Sequence, residues 1–164
     1  MSDIAATLEA LRLLCGAWHG DGRASFPTVG EHEYRERLRV EADPVRPLLF
    51  YEQRAEHRPV GTAEPRGFHW ESGFFRVTGP GLVQLSNSQN NGRLEVLDLV
   101  LVPHEGGFRL EGAATGQFND PRMKAAFRRY ELRGDTLRYV VEMATDHVAT
   151  RTQHLAAELR RGEA

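Results

Sequence analysis

Along most of the chain, apolar and polar residues alternate with a period of two. From Glu31 to Glu41 the odd positions are Glu31, Glu33, Arg35, Arg37, Arg39 and Glu41, and the even ones His32, Tyr34, Glu36, Leu38 and Val40. Successive side chains of a strand point to opposite faces, so this segment predicts a strand with one wholly charged, solvated face. Such a strand suits an antiparallel sheet and argues against a parallel sheet covered by helices on both faces. Similar strands are predicted at Trp18 to Phe26, Pro47 to Glu56, Gly67 to Val77, Leu82 to Ser88, Arg93 to Val102, Phe108 to Thr115, Ala125 to Leu132, Leu137 to Thr145 and Val148 to about Arg160. Turn residues separate them, among them Asp43-Pro44, Gly79-Pro80-Gly81, Asn90-Asn91-Gly92, Glu105-Gly106-Gly107 and Arg133-Gly134-Asp135. Several of these supply the positive φ that hairpins need. The period differs only at the start, where Ile4, Leu8, Leu11 and Cys15 recur at helical spacing, with Ser2 as a cap and Gly16 as a stop. The segment His154 to Arg160 reads equally well as helix or strand by propensity.

About ten strands follow one another with no helical crossover. An open sheet of that width would leave two exposed edges and curl strongly, so an all-β, up-and-down antiparallel barrel with a short N-terminal helix is the expected fold, with a sandwich as the alternative. One domain accounts for residues 1–164. Eight strands close around side chains or one small ligand; ten must enclose a cavity.

Composition narrows the chemistry. The 21 Lys and Arg against 23 Asp and Glu leave a formal charge of −2, with no basic tract to follow a phosphate backbone, so nucleic acid is excluded as a partner. No run approaches the ~20 apolar residues of a membrane-spanning helix, and Asp3 and Glu9 stand where a signal peptide would be basic and then apolar. With Cys15 as the one cysteine, disulfides and a c-type haem attachment are excluded, and a reducing cytoplasm is expected. The chain is 40% hydrophobic with 16 glycines, polar for a fold that must bury a core.

A glycine-rich phosphate loop before a helix, H-E-x-x-H, G-x-S-x-G and H-x-H are all missing from the sequence. Gly20-Asp21-Gly22 is too short for a nucleotide fingerprint and reads as a bend or bulge in the first strand. The chemically capable residues are seven histidines: His19, His32, His57, His69, His104, His147 and His154. His57 and His104 adjoin turns and are expected to be solvated. His69 shares a strand face with Glu71, Gly73 and Phe75, and His154 shares one with Thr150 and Thr152. An inward histidine in an apolar cavity suits a b-type haem; the simpler alternative is a hydrogen bond from each to a neighbouring strand.

Several blocks resemble the nitrobindin family, ferric-haem β-barrels related in shape to fatty-acid-binding proteins. Gly16-Ala17-Trp18-His19-Gly20-Asp21-Gly22 fits its G-x-W-x-G-x-G signature, and Phe26-Pro27-Thr28-Val29 the aromatic-Pro-Thr-aliphatic step that follows. His69 to Arg76 resembles its H-x-E-S-G-aromatic-x-R strand, Lys124 to Leu132 its K-x-x-x-R-x-aromatic-x-L strand, and Tyr139 to Thr145 with Gln153-His154-Leu155 its closing strand pair. Five blocks in order over about 140 residues make the resemblance specific. Two departures stand out: Arg93-Leu94 replaces an apolar pair beside the pocket, and Phe68 stands where methionine is common.

The resemblance implies one ferric haem b per chain, with His154 as the ligand to iron, Thr28 touching the haem, Lys124 pairing with a propionate and His69 near the cofactor. It assigns Trp18 to the barrel base. It implies nitric oxide and peroxynitrite as small-molecule ligands and isomerisation of peroxynitrite to nitrate, with no catalytic side chain beyond the iron. An inward His19 or His69 would add an acid-base group. A homodimer is the default assembly. The competing expectations are a carrier of an apolar ligand, marked by paired lumen arginines, and a filled barrel with neither role.

Overall fold

A computed structural model describes residues 3–26, 30–57 and 66–162. After a short helix, α1 (Ile4–Leu11), and a 3-10 turn over Arg12–Leu14, ten strands follow: β1 (Gly16–Phe26), β2 (Gly30–Ala42), β3 (Leu48–His57), β4 (Arg66–Gly79), β5 (Leu82–Gln89), β6 (Leu94–His104), β7 (Gly107–Phe118), β8 (Met123–Arg133), β9 (Thr136–Thr145) and β10 (Thr152–Arg161). Each pairs antiparallel with the next, and β1 closes the barrel against β10. The expected all-β barrel with an N-terminal helix is therefore the fold. Gly81, Gly92, Gly106 and Gly134 take the positive φ angles, 54° to 87°, of the hairpin turns.

Three local expectations are corrected. Asp3 caps α1, its carboxylate accepting from the Ala6 amide at 2.6 Å, while Ser2 lies outside the described residues. The last strand begins at Thr152 rather than Val148, and the pull of pairing with both β9 and β1 decides strand over helix for His154 to Arg160. Gly20-Asp21-Gly22 forms neither bend nor bulge. It runs in register between β2 and β10, and its glycines serve close approach: a Cβ on Gly20 would lie 2.0 Å from the Glu158 carbonyl oxygen, and one on Gly22 2.3 Å from the Tyr34 ring.

The two ends of the barrel differ. At one end α1 and the 3-10 turn lie across the lumen: Leu11, Leu14 and Trp18 are buried, the indole donates to the Leu14 carbonyl at 2.8 Å, and Arg161 stacks on the ring. This places Trp18 at the barrel base, as expected. Leu49, Leu85, Leu97, Leu99, Phe108, Leu110, Leu132 and Leu137 complete an apolar layer there, each at most 1% exposed. The opposite end carries the connections from β1 to β2, β3 to β4, β5 to β6, β7 to β8 and β9 to β10. The first two of these fall largely outside the described residues.

Candidate functional site

Strict alternation would leave His154 outside. On β10, Ala157 and Leu159 are buried and Arg160 is exposed, so residues of odd number face the lumen and even ones face solvent. The ladder between β10 and β9 slips between Gln153 and Leu155, leaving His154 as the extra residue of a bulge. A bulge re-aims a side chain, and this one lets His154 turn inward although Thr152, two positions before it, stays exposed. The imidazole is 3% exposed. Its Nδ1–H donates to the Thr152 carbonyl at 2.7 Å, which puts the lone pair of the neutral ring on Nε2, and among the described residues nothing bonds to that nitrogen. A backbone carbonyl fixing one ring nitrogen while the other is left bare is the arrangement of a metal-ligating histidine.

His154 lines a cavity of about 220 Å³ with Phe26, Asn91, Arg93, Asp120, Met123 and Met143, and with Thr145, His147 and Arg122 at its mouth. Phe26 packs on the imidazole with ring centroids 5.7 Å apart. Among the described residues, no group of three or more His, Cys, Asp or Glu is placed to hold a bare metal ion. One histidine suffices, however, as the axial ligand of a metal already held in a macrocycle.

Between this cavity and the apolar base lies a layer of buried ionisable groups. Arg128 is at its centre, donating to Glu71 at 2.6 and 3.0 Å and to Glu95 at 2.7 Å. Glu71 also accepts from Tyr51 at 2.7 Å and His69 Nε2 at 2.9 Å. Burial raises the Glu71 carboxyl, but the Arg128 guanidinium and His69 outweigh burial and hold it well below the usual carboxylate range. Glu95 is held low by the same balance, with Arg128 and Arg93 as its cations. Across the lumen, no cation among the described residues forms an ion pair with Glu36. Burial pushes it up to about 8, so at neutral pH it is the protonated acid, hydrogen-bonded to Tyr139, which in turn meets Tyr34 at 2.7 Å and Gln53 at 3.3 Å.

Of the described residues that the resemblance assigned to the cofactor, His154 lines the cavity; Arg93, expected beside the pocket, lines it too, and His147 stands at its mouth. His69 faces inward with Glu71, Gly73 and Phe75, as its strand parity predicts, but its hydrogen bond ties it to the ionic layer. Lys124 is the extra residue of a second bulge, between Met123 and Ala125, and points outward to Asp146 at 2.8 Å. Thr28 lies outside the described residues. His19 is exposed, so it supplies no inward acid-base group. His57 and His104, expected in solvent, are half-buried; His57 packs edge-on against His32, and His104 meets Glu131 at 2.9 Å. The ionic layer was missed, although its signal was present: Glu36 stands between inward Tyr34 and Leu38, Arg128 between inward Ala126 and Tyr130, and Glu71 and Glu95 share the parity of buried Phe75 and Leu97.

A closed antiparallel barrel with a plugged base and an inward histidine near its open end defines a ligand-binding barrel. Residues 7–161 match the family described as "THAP4-like, heme-binding beta-barrel domain", and the chain belongs to that family. It is 31% identical to a peroxynitrite isomerase of Nocardia farcinica over 94% of this chain and 90% of that one. It is 32% identical to peroxynitrite isomerase 1 of Mycobacterium tuberculosis H37Rv over 97% of each. The crystal structure of Rv2717c from M. tuberculosis superposes with a TM-score of 0.86 at 30% identity, covering 96% of this chain and 98% of that one.

Proposed function

We propose that this chain binds one ferric haem b through His154 Nε2 and isomerises peroxynitrite to nitrate, with nitric oxide as a further ligand. The observation that carries the reading is the bulge at His154, which buries an imidazole whose Nε2 has no protein partner among the described residues. When bound, ferric haem supplies a Lewis-acidic iron toward the peroxynitrite anion.

The chain's own residues fit such a group. The Thr152 carbonyl holds the imidazole in the tautomer that presents a lone pair. Phe26, Met123 and Met143 give the cavity the apolar walls a macrocycle needs. At about 220 Å³ the cavity is smaller than the roughly 300–1,000 Å³ that encloses a drug-sized ligand, so a macrocycle ligated by His154 extends beyond it. Lys124 would pair with a propionate in place of Asp146, Thr28 would touch the haem, and His69 would keep its hydrogen bond to Glu71 in the ionic layer.

The cavity wall also suits isomerisation, which moves no net proton. Asp120, the one carboxylate among its described lining residues, accepts two hydrogen bonds from the Arg122 side chain, at 3.0 and 3.2 Å, and His147 stands exposed at the mouth. Heterolytic O–O cleavage calls instead for a positioned proton shuttle. A single cysteine, Cys15, supports the reading of a reducing cytoplasm, and no helix among the described residues is long and apolar enough to cross a membrane.

The lumen does not favour the carrier. Arg128 already spends its guanidinium on two carboxylates, which leaves Arg93 single on the cavity wall rather than the paired arginines expected for a fatty-acid head group. The reaction is tested by mixing peroxynitrite with haem-loaded protein and measuring decay and nitrate yield. Faster decay with a higher nitrate fraction than free haem or apoprotein gives is the expected result; equal decay and yield would contradict the assignment.

A further inference from the structure

We propose that Arg93 is the anion-recognising group of the His154 cavity. The proposal rests on the haem-binding reading and specifies what that site selects. Among the described residues near the His154 cavity, two cations other than Arg93, namely Arg122 and Lys124, are spent. Arg122 is exposed and forks onto Asp120, and Lys124 is exposed, pairs with Asp146 and does not line the cavity.

Arg93 differs on each count. It lines the cavity beside His154 and Met143, and its side chain is 12% exposed. Nε lies 3.3 Å from Glu95 without hydrogen-bond geometry and is an unsatisfied buried donor. Nη1 reaches only the Met143 sulfur, at 3.8 Å, and among the described residues Nη2 has no acceptor. Glu95 offsets this charge but faces Nε alone, and its Oε2 accepts from Arg128 at 2.7 Å, so among the described residues neither Nη nitrogen of Arg93 has a carboxylate. A buried guanidinium that meets sulfur where it could meet oxygen is short of an acceptor. Its planar fork matches an oxyanion, and charge-assisted bonds of this kind are the strong ones.

Nor does the surrounding layer repel an anion. Arg93 and Arg128 balance Glu71 and Glu95, Asp120 is neutralised by Arg122, and Glu36 is protonated at neutral pH. The anion can come from two sources, a small anionic ligand entering the cavity or a carboxylate of the haem itself. Both bring the same chemistry to Arg93, and it is this chemistry that the departure at Arg93-Leu94 installs.

The test uses the full chain titrated with ferric haem, then with azide as an anionic probe and imidazole as a neutral one, followed in the Soret band. In Arg93→Leu, azide binding is expected to weaken about tenfold or more, close to 1.4 kcal/mol, with imidazole binding unchanged and Arg93→Lys restoring most of the loss. If the anion is instead a haem carboxylate, Arg93→Leu weakens haem uptake but not uptake of haem dimethyl ester. Arg93→Gln replaces the leucine variant if the latter fails to fold, which melting curves will show. Haem uptake by every variant with unchanged azide and haem affinities would overturn the role of Arg93 while leaving the haem reading intact. Absence of haem uptake by wild type would remove both.

Discussion

The plugged base and the open end of this barrel are built by opposite rules. At the base, buried side chains are leucines and aromatics, and the indole nitrogen of Trp18 finds a backbone carbonyl. Toward the open end the inward positions hold Glu36, Gln53, Glu71, Asn87, Gln89, Glu95, Arg128 and His154, and polar atoms of Glu36, Gln89, Arg93 and Arg128 are buried without a hydrogen-bond partner. Of the register shifts, those at Phe68, Thr115, Lys124 and His154 lie toward the open end, and one, at Thr78, lies toward the base. One end therefore supplies stability, and the other gives some up to hold polar groups and re-aimed side chains in place for a ligand.

The contrast can be broken from either side. Trp18→Ala empties the base and is expected to cost about 3–5 kcal/mol in chemical denaturation, with haem affinity unchanged wherever the variant is folded. Arg128→Met strikes the ionic layer and leaves Glu71 and Glu95 buried without their shared cation, at a cost of about 3–5 kcal/mol. Adding Glu71→Gln and Glu95→Gln should recover much of that loss, whereas no second polar change rescues Trp18→Ala.

An effect of similar size, spread over several pH units, separates the two halves of the layer. Glu36 ionises near 4.5 when unfolded and near 8 in the barrel, so between those values the folded state holds the extra proton. Its contribution to stability falls as pH rises across that window, on the order of 1.4 kcal/mol per unit, and levels off above it. Glu36→Gln should therefore gain on wild type from pH 5 to pH 8 in urea melts; a constant difference would contradict a protonated Glu36. Glu71 and Glu95 have the opposite sign: held low in the fold, they lose their contribution as pH falls below the ordinary carboxylate value. The smallest effect is expected of Lys124→Ala, whose exposed pair with Asp146 contributes little. It should leave the melting temperature of the apoprotein unchanged and lower haem affinity if a propionate takes the place of Asp146.

The base was readable in the sequence because strand parity holds there: the alternation that puts Leu38 and Val40 inward and Arg37 and Arg39 outward is what the barrel uses. The site was harder to read for the reason that makes it a site. At His154 a bulge reverses the parity, so spacing grouped the histidine with exposed Thr152 and left a hydrogen-bonded histidine as the simpler alternative, and only the likeness of Gln153-His154-Leu155 to a family strand made it the expected ligand. Lys124 shows the same slip with the opposite outcome, its side chain turned to solvent. The polar composition has two physical sources: a charged outer surface, as on β2, and an ionic layer inside the lumen that no strand shows by itself, because its ion pairs join residues as far apart as Glu71 and Arg128.

The central claim, that the bulge at His154 presents a haem ligand, is tested most directly by titrating ferric haem into wild type and His154→Ala and following the Soret band. The account predicts a saturable one-to-one shift in wild type that the variant loses while keeping the same melting temperature. An identical titration in the variant, or none in wild type, would contradict it.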